Sequence, residues 1–477
     1  MSGVVLIFAL PLLAAALVYL LRRWPLPSSL LAGLAALVLG SLLWRWPNDQ
    51  PVLFLGRVIR VNTPATLFNL NFVMHATAQW VLGWLALALA AVYLGAWRVA
   101  QGRTFFPFGL LLLALFGAVL TVEPVWLAPV LLSGVMAIAA FVVQAGRKGS
   151  TRGALRGLWL PVLAIPLFLV AAWLAQQALP EQQSSQQLLV LAAQLASFGL
   201  LLLLAPWPLH GPAVSLGEDG PPLVSAWLLT GLAAVAVTLL QALLVQYDWL
   251  QSATLFYTLP NVRLPELLLY GGMATCLWAG LAGGVQVNLS RLWSYASLFA
   301  WGTVLIALGL GARGSWALVW LMLIARSVAM IVSAYGLAVL RERAGGVTDL
   351  DAVSGLGTRL PWVTVAFLLG ILSLAGMPLT AGFAGQWALM QALGSTDWLQ
   401  AVVVLAGALG LAVGVIRSMS ALLGPLRNLL LERESRVLTA LAGIAILAVL
   451  LPALFPTVWL KPLSAVVAAF ASSPGGL

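Results

Sequence analysis

Charge is scarce in this 477-residue chain, which contains 13 Asp and Glu residues, 23 Lys and Arg residues and two His residues. Charged residues make up 8% of the sequence, whereas hydrophobic residues make up 62%. A soluble globular domain is typically about one-quarter charged and about half apolar. The composition therefore excludes a soluble globular protein and predicts a polytopic membrane protein surrounded by the lipid bilayer.

Redox-active and metal-binding side chains are also scarce. Cys276 is the only cysteine, so the chain can form no internal disulfide and cannot ligate an iron–sulfur cluster by itself. His75 and His210 are the only histidines, and no Gly-rich phosphate loop follows a predicted strand. We therefore predict no catalytic residue, no metal site and no cofactor belonging to this chain alone.

Long apolar runs fill most of the sequence. A membrane-spanning helix needs about 20 apolar residues, and the chain contains about 14 such segments, which predicts an all-α membrane protein with a single domain over 1–477. The segments lie near 3–21, 27–46, 76–97, 105–122, 125–145, 155–177, 188–205, 223–246, 266–286, 292–311, 315–340, 361–393, 398–422 and 438–460. Between the second and third segments, residues 50–68 are rich in β-branched and turn-forming residues, which predicts a short external hairpin.

The basic residues lie in alternate loops between these segments. Arg22 and Arg23 follow the first apolar run, and no basic residue precedes it, so we expect that run to remain as a span. The positive-inside rule then predicts that the arginine-rich loops lie in the cytoplasm and both termini on the outer side. We expect the membrane to be the bacterial inner membrane. The basic residues form no continuous face, which argues against nucleic acid as a partner.

No Asp, Glu or Lys lies near the middle of any predicted span, and every acidic residue lies in a loop or at a span end. Arg326 is the exception among the cations, because it lies near the centre of the eleventh span, where a charge costs about 2.5–3.5 kcal/mol on insertion scales. It is either a functional residue or a structural one that contacts backbone carbonyls or a partner subunit. Arg417 lies nearer a helix end, from which its side chain can reach the membrane interface.

Two apolar runs are interrupted by Pro and Gly at membrane depth, at 205–212 and at 375–385. The two interrupted spans are five positions apart in the order of spans, and broken helices at corresponding positions in two halves are typical of internally repeated transporters. The alternative is two unrelated proline kinks, which membrane helices tolerate. The repeat interpretation predicts two inverted five-helix repeats, at about 105–246 and about 266–422, with the seventh and twelfth helices broken.

Several motifs resemble one membrane-protein family. They are Pro208-Leu209-His210-Gly211 with 220–226 (GPPLVSA), 288–297 (NLSRLWSYAS), and 375–386 (AGMPLTAGFAGQ). In order and spacing they resemble the antiporter-like membrane subunits of respiratory complex I, together with Mrp cation antiporters and membrane-bound hydrogenase subunits. The length resembles the M- or N-type subunit of complex I, and the motifs leave that choice open.

The resemblance implies charged proton-relay positions in the fifth, seventh, eighth and twelfth helices. In this sequence those positions carry Leu132, Leu203, Ala234 and Gln386, so the family's relay charges are absent from them. The resemblance also places Ile324 and Val328 at a His and a Lys of the eleventh helix. Elsewhere Asn71, Asn288 and Ser290 replace residues that are charged in the family, although Arg291 is retained.

Some polar residues remain that could line a hydrated path. They are Arg326, His210, Gln386, Thr230 and Ser290. His210 could titrate near neutral pH, but its Pro-rich surroundings favour a capping role equally. Uncharged groups alone rarely bind and release a proton, so we expect the chain's own proton channel to be impaired.

These observations leave three functional hypotheses open. The first is a membrane-arm subunit of a complex-I-type NADH:quinone oxidoreductase with a structural or coupling role, in which NADH, flavin, iron–sulfur clusters and quinone bind to partner subunits. The second is an independent secondary transporter that binds substrate at the broken helices. The third is a subunit of an ion-coupled hydrogenase or carbon-uptake complex.

Overall fold

The structure, a computed structural model, describes residues 3–47, 50–54, 57–99, 101–102, 104–144, 152–178, 183–255, 262–311, 316–425 and 433–455. Over these residues the chain is predominantly helical. The helices are α1 (Gly3–Leu20), α2 (Pro25–Arg45), α3 (Ala76–Ala96), α4 (Phe105–Thr121), α5 (Ala128–Gln144), α6 (Arg152–Gln177), α7 (Gln183–Leu204), α8 (Gly211–Asp219), α9 (Pro222–Gln246), α10 (Trp249–Ser252), α11 (Leu264–Gly284), α12 (Leu289–Gly309), α13 (Trp316–Arg343), α14 (Leu356–Arg359), α15 (Pro361–Leu374), α16 (Phe383–Thr396), α17 (Trp398–Leu422) and α18 (Arg436–Leu454).

The described residues include 12 helices that are long and apolar enough to cross a membrane. Two shorter apolar helices, α4 and α15, lie where the fourth and twelfth spans were predicted. The all-α membrane fold is thus confirmed, whereas the count of 14 spans and the two inverted repeats stay predictions. The end of the last predicted span, beyond residue 455, lies outside the described residues.

Helix boundaries follow local sequence signals. Proline occupies the first turn of α2, α9, α11 and α15, where its missing N–H has no helical partner to lose. Asn288 caps α12 by accepting hydrogen bonds from the backbone N–H groups of Ser290 and Arg291. Asp397 and Ser435 cap α17 and α18 in the same way. These caps satisfy backbone donors at the starts of the three helices.

The segment between α2 and α3 forms two hairpins rather than the one predicted. Strand β1 (Val52–Phe54) pairs with β2 (Arg57–Ile59), and β3 (Ala65–Leu67) pairs with β4 (Leu70–Phe72), both antiparallel. The second hairpin turns at Phe68 and Asn69, which both have positive φ, as tight hairpin turns require. β4 also pairs with β5 (Val122–Glu123), so the hairpin is held to the end of α4. The Phe68-Asn69 turn carries no glycine, which explains why the second hairpin was missed.

Burial divides the helices into a centre and a periphery. In α12, 89% of the most apolar stretch is buried, whereas the corresponding value for α6 is 28% and for α18 is 22%. α9 and α13 are also largely buried, and α13 packs against α9 and α12. A polar group on the buried faces of α9, α12 or α13 therefore lies inside the protein rather than against lipid.

Candidate functional site

The first helix break separates α7 from α8. The chain leaves α7 at Leu204, passes Ala205 with φ +46° and a cis Trp207-Pro208 peptide, and re-enters a helix at Gly211. Two neighbours satisfy backbone groups at this break: Trp301 Nε1 donates to the Leu204 carbonyl at 2.6 Å, and Trp207 N donates to Thr275 Oγ1 at 2.8 Å. Side chains of other helices thus replace the missing helical hydrogen bonds, as a break inside a membrane requires.

His210 ends this first break. Its Nε2 accepts a hydrogen bond from Trp278 Nε1 at 3.1 Å. Its Nδ1 atom is buried. Because Trp278 can only donate, the Nε2 atom is unprotonated in this arrangement. Trp278 of α11 therefore holds the His210 imidazole in place.

The second break separates α15 from α16, with positive φ at Gly376 and Leu379. Ser373 Oγ accepts a hydrogen bond from the Gly382 N–H at 3.1 Å, and Thr380 Oγ1 donates to the Met377 carbonyl at 2.6 Å. Gln386 follows in the first turn of α16, where it is buried, and its Nε2 has no partner among the described residues. Both breaks predicted from Pro and Gly are therefore present at the expected places.

A cavity lies beside the first break and is called the Arg326 cavity below. It contains about 830 Å³ of empty space, including the part that opens to the surroundings. Its walls come from α5, α6, α7, α8, α9, α12 and α13, and most of them are leucine, alanine and proline side chains. Among the described residues that line it, Arg326 alone is charged, and Ser294, Ser297 and Trp301 supply the other polar atoms.

Arg326 is 6% exposed and has only neutral partners. Its Nη2 donates to Ser297 Oγ at 3.0 Å, and its Nε and Nη1 lie 3.4 Å from the carbonyl oxygens of Ser297 and Leu229. The guanidinium carbon lies 5.6 Å from the centre of the Trp301 ring, at the range of a cation–π contact. Within the described part of the chain, no carboxylate lies within 4.0 Å of this guanidinium. The predicted contact with backbone carbonyls is present, but α9 and α12 supply it rather than a broken helix.

The four positions at which the resemblance implies relay charges lie in three places. Leu132 of α5 and Leu203 of α7 both line the Arg326 cavity. Ala234 of α9 is buried outside this lining, and Gln386 lies at the second break. An apolar wall thus occupies the first half of the chain where two charged side chains are expected from the resemblance. Whether a proton path is lost with them stays a prediction.

The other polar candidates are not gathered around the cavity. Thr230 Oγ1 donates to the Ala226 carbonyl one turn earlier in α9, at 2.8 Å. Ser290 Oγ bonds Thr348 Oγ1 at 2.9 Å at the start of α12. Of the five candidates, only Arg326 lines the cavity. The acidic residues of the described part lie at helix ends or in connections, as predicted, and they form no cluster with His or Cys that could hold a metal.

The start of α12 joins several elements at one end of the bundle. Arg291 Nε donates to Glu218 Oε1 of α8 at 2.7 Å. Asn288 Nδ2 donates to Asp349 Oδ1 at 2.8 Å. Arg341 Nη1 donates to the Gly220 carbonyl after α8 at 2.9 Å. These contacts hold the second half of the broken seventh helix, and a structural role explains why Arg291 is present.

Sequence reasoning missed Ser294, Ser297 and Trp301 as parts of the site. Ser290, Ser294 and Ser297 recur along α12 at helical spacing, which places them on one face of a buried helix. That spacing was the available signal. The pairing of this face with Arg326 depends on how α12 and α13 pack, and the sequence pattern does not contain that information.

The chain is similar to one protein family and to individual members of it. Residues 113–411 match the family described as NADH:quinone oxidoreductase/Mrp antiporter, transmembrane. NADH-quinone oxidoreductase subunit N of Psychrobacter arcticus is 31% identical over 231 residues, a match that covers 47% of this chain and 45% of that protein. The chain therefore matches about half the length of this relative.

Two solved structures share the fold across nearly the whole chain. A chain of respiratory complex I from Thermus thermophilus with bound NADH has a TM-score of 0.75 and 19% identity, covering 98% of this chain and 99% of that one. A chain of the membrane-bound sulfane sulfur reductase, an archaeal respiratory membrane complex, has a TM-score of 0.75 and 17% identity, covering 98% and 97%. With the family match over more than half of its length, the chain belongs to the NADH:quinone oxidoreductase/Mrp antiporter family of transmembrane subunits.

Proposed function

We propose that this chain is a membrane-arm subunit of a complex-I-type NADH:quinone oxidoreductase, with a structural or coupling role and an impaired proton channel of its own. The named relatives support the subunit role, and the N-type name of the Psychrobacter arcticus relative favours an N-like position. The proposal places NADH, flavin, iron–sulfur clusters and quinone in partner subunits. It places the chain in the bacterial inner membrane with both termini on the outer side.

The apolar wall of the Arg326 cavity is the observation that carries the impaired-channel proposal. A proton relay needs groups that bind and release a proton near neutral pH, and bilayer-embedded carboxylates, lysines and histidines supply them. Leu132 and Leu203 supply none, and Arg326 stays protonated under physiological conditions, so it acts as a fixed charge. A fixed cation in an apolar wall raises the energy of a proton near it. Transfer through this half of the chain is therefore disfavoured.

A second candidate is a subunit of another ion-coupled membrane complex, of the hydrogenase or carbon-uptake type. The likeness in fold to the sulfane sulfur reductase complex favours it. An independent transporter is the third candidate, and the buried, unpartnered amide of Gln386 at the second break is its best candidate for a substrate contact.

Affinity purification from the native membrane separates these candidates. We expect the tagged chain to bring down a multisubunit assembly that contains flavin and iron–sulfur subunits and oxidises NADH with quinone. An assembly with hydrogenase-type subunits would support the second candidate. A stable chain that purifies alone would support the third and contradict the proposed subunit role.

Measuring proton pumping by that assembly in liposomes tests whether the chain's own proton channel is impaired. We expect Gln386→Leu to leave the ratio of protons pumped to NADH oxidised unchanged, because the proposal routes no proton through this side chain. Gln177→Leu, an exposed position at the end of α6, is the matched control. A fall in the pumping ratio for Gln386→Leu alone, with NADH oxidation intact, would mean that a path through the second break operates.

A further inference from the structure

The guanidinium of Arg326 has unused binding capacity. A guanidinium carries five N–H donors in a planar fork that matches a carboxylate. In this structure two of its three hydrogen bonds are long, at 3.4 Å, and all three acceptors are neutral oxygens. A buried cation without a counter-charge is costly, and an anion that arrives from outside the chain would lower that cost.

The wall of the Arg326 cavity determines which kind of anion fits. Leu132, Leu203 and Leu232 lie on it, and the hydroxyls of Ser294 and Ser297 already donate to Ser290 O and Met330 Sδ. A small inorganic anion would lose its water here and gain few donors beyond Arg326. An anion attached to an alkyl chain would gain apolar contact along the same wall.

The cavity also reaches the outer layer of the bundle. Gly157, Leu160 and Pro161 of α6 line its outer side, and the far face of α6 is exposed, with Trp159 at 67% and Leu163 at 53%. In a membrane this face meets lipid, so the bilayer is the nearest reservoir of ligands. Without the part that opens to the surroundings, the cavity volume is about 100 Å³, which is room for a small head group and the first carbons of a chain.

We propose that the Arg326 cavity binds a single-chain amphiphile with a carboxylate head, such as a fatty acid anion. The carboxylate pairs with the Arg326 guanidinium, and the alkyl chain lies along the leucines of α5, α7 and α9 towards α6. The site rests on the charge and shape of the cavity and is independent of the subunit role proposed above.

Photolabelling of the native assembly tests this site. The probe is dodecanoate carrying a diazirine near the end of its chain, and mass spectrometry of peptides locates the label. We expect the label on α5, α6, α7 or α9 at the cavity. Unlabelled dodecanoate should compete, whereas dodecanol of the same length and acetate at the same concentration should not.

Three variants separate the contribution of the Arg326 charge to the labelling from the contribution of the cavity space. Arg326→Gln should lower cavity labelling about tenfold, because charge-assisted hydrogen bonds to a carboxylate are lost. Arg417→Gln is the matched control, since it removes another arginine of a described span, which donates to the Gly284 carbonyl, and it should leave the labelling unchanged. Leu203→Trp keeps Arg326 and fills part of the cavity, so it should also lower the labelling.

Four results with the probe and with Arg326→Gln would each overturn the proposal, and a fifth concerns Leu203→Trp. The four are the absence of label at the cavity, equal competition by dodecanol, equal competition by acetate, and full labelling of Arg326→Gln. If Arg326→Gln fails to assemble, the Leu203→Trp variant and the dodecanol comparison still test whether the probe binds in the cavity, because both leave the arginine in place. Full labelling of an assembled Leu203→Trp variant would place the alkyl chain outside the cavity and would equally overturn the proposal.

Discussion

At the scale of single residues, Arg326 is the most unusual feature of the chain. It combines nearly complete burial with neutral partners, which are two backbone carbonyls and one hydroxyl. Its position near the middle of a span could be predicted from the sequence. Its partners could not, because Ser297 and Leu229 belong to α12 and α9 and meet Arg326 only through helix packing.

The unpaired charge predicts that Arg326→Met stabilises the assembly once lipid has been removed. Methionine has a similar length and carries no charge, and the Ser297 hydroxyl keeps its bond to Met330. Replacing a buried charged group by an apolar one of similar size can stabilise a protein by about 1–4 kcal/mol. We expect a higher midpoint of thermal unfolding, measured by tryptophan fluorescence in detergent at a fixed heating rate.

Arg98→Met serves as the control, since Arg98 lies at the exposed end of α3 and its loss should leave the midpoint unchanged. A lower midpoint for Arg326→Met than for the wild-type assembly would mean that the cation stabilises the fold through its neutral partners alone.

At the scale of helices, the most informative contact is the one between α11 and α17. Glycines of the two helices face one another, and their backbones touch: a Cβ atom at Gly410 would lie 2.6 Å from the Gly280 carbonyl oxygen. Small residues that allow close backbone approach are typical of helix contacts in membranes. The sequence contained these glycines, but it did not identify which helix each one faces.

The close contact predicts opposite effects for two Gly→Ala substitutions. Gly410→Ala forces α17 away from α11, and overpacking of this kind costs about 1–3 kcal/mol. Gly443→Ala in α18 is the matched control, because its Cβ meets nothing within 4 Å and alanine favours a helix by about 1 kcal/mol. We expect a lower midpoint of thermal unfolding for the first variant and an equal or higher midpoint for the second. Equal midpoints for both would mean that the contact between α11 and α17 is loose.

The helix breaks show what local sequence does and does not predict. Pro and Gly clusters located both breaks, because several of these residues close together disfavour continued helical hydrogen bonding. The groups that stabilise the first break, Trp301 and Thr275, come from α12 and α11. Local signals therefore predict where a helix ends, and tertiary packing determines what replaces its hydrogen bonds.

At the scale of the whole molecule, the contacts define two ends of the helical bundle. At one end, Gly3 N donates to the Arg60 carbonyl and His75 Nε2 lies 3.1 Å from Glu123 Oε1, which brings the start of α1 and the hairpins together. At the other end, Asn288 binds Asp349 near the last turn of α13, which contains Arg341 and Arg343. The positive-inside rule predicts that this second end lies in the cytoplasm.

This topology predicts opposite labelling of two engineered cysteines. Cys276 is fully buried, so the wild-type chain should give little background. Phe68, in the second hairpin, is 99% exposed, and Val347, in the turn after α13, is 48% exposed. In intact cells a membrane-impermeant maleimide should label Phe68→Cys, whereas Val347→Cys should react only after the membrane is permeabilised. The reverse pattern would invert the orientation, and labelling of both in intact cells would mean that α13 does not separate the two ends across the membrane.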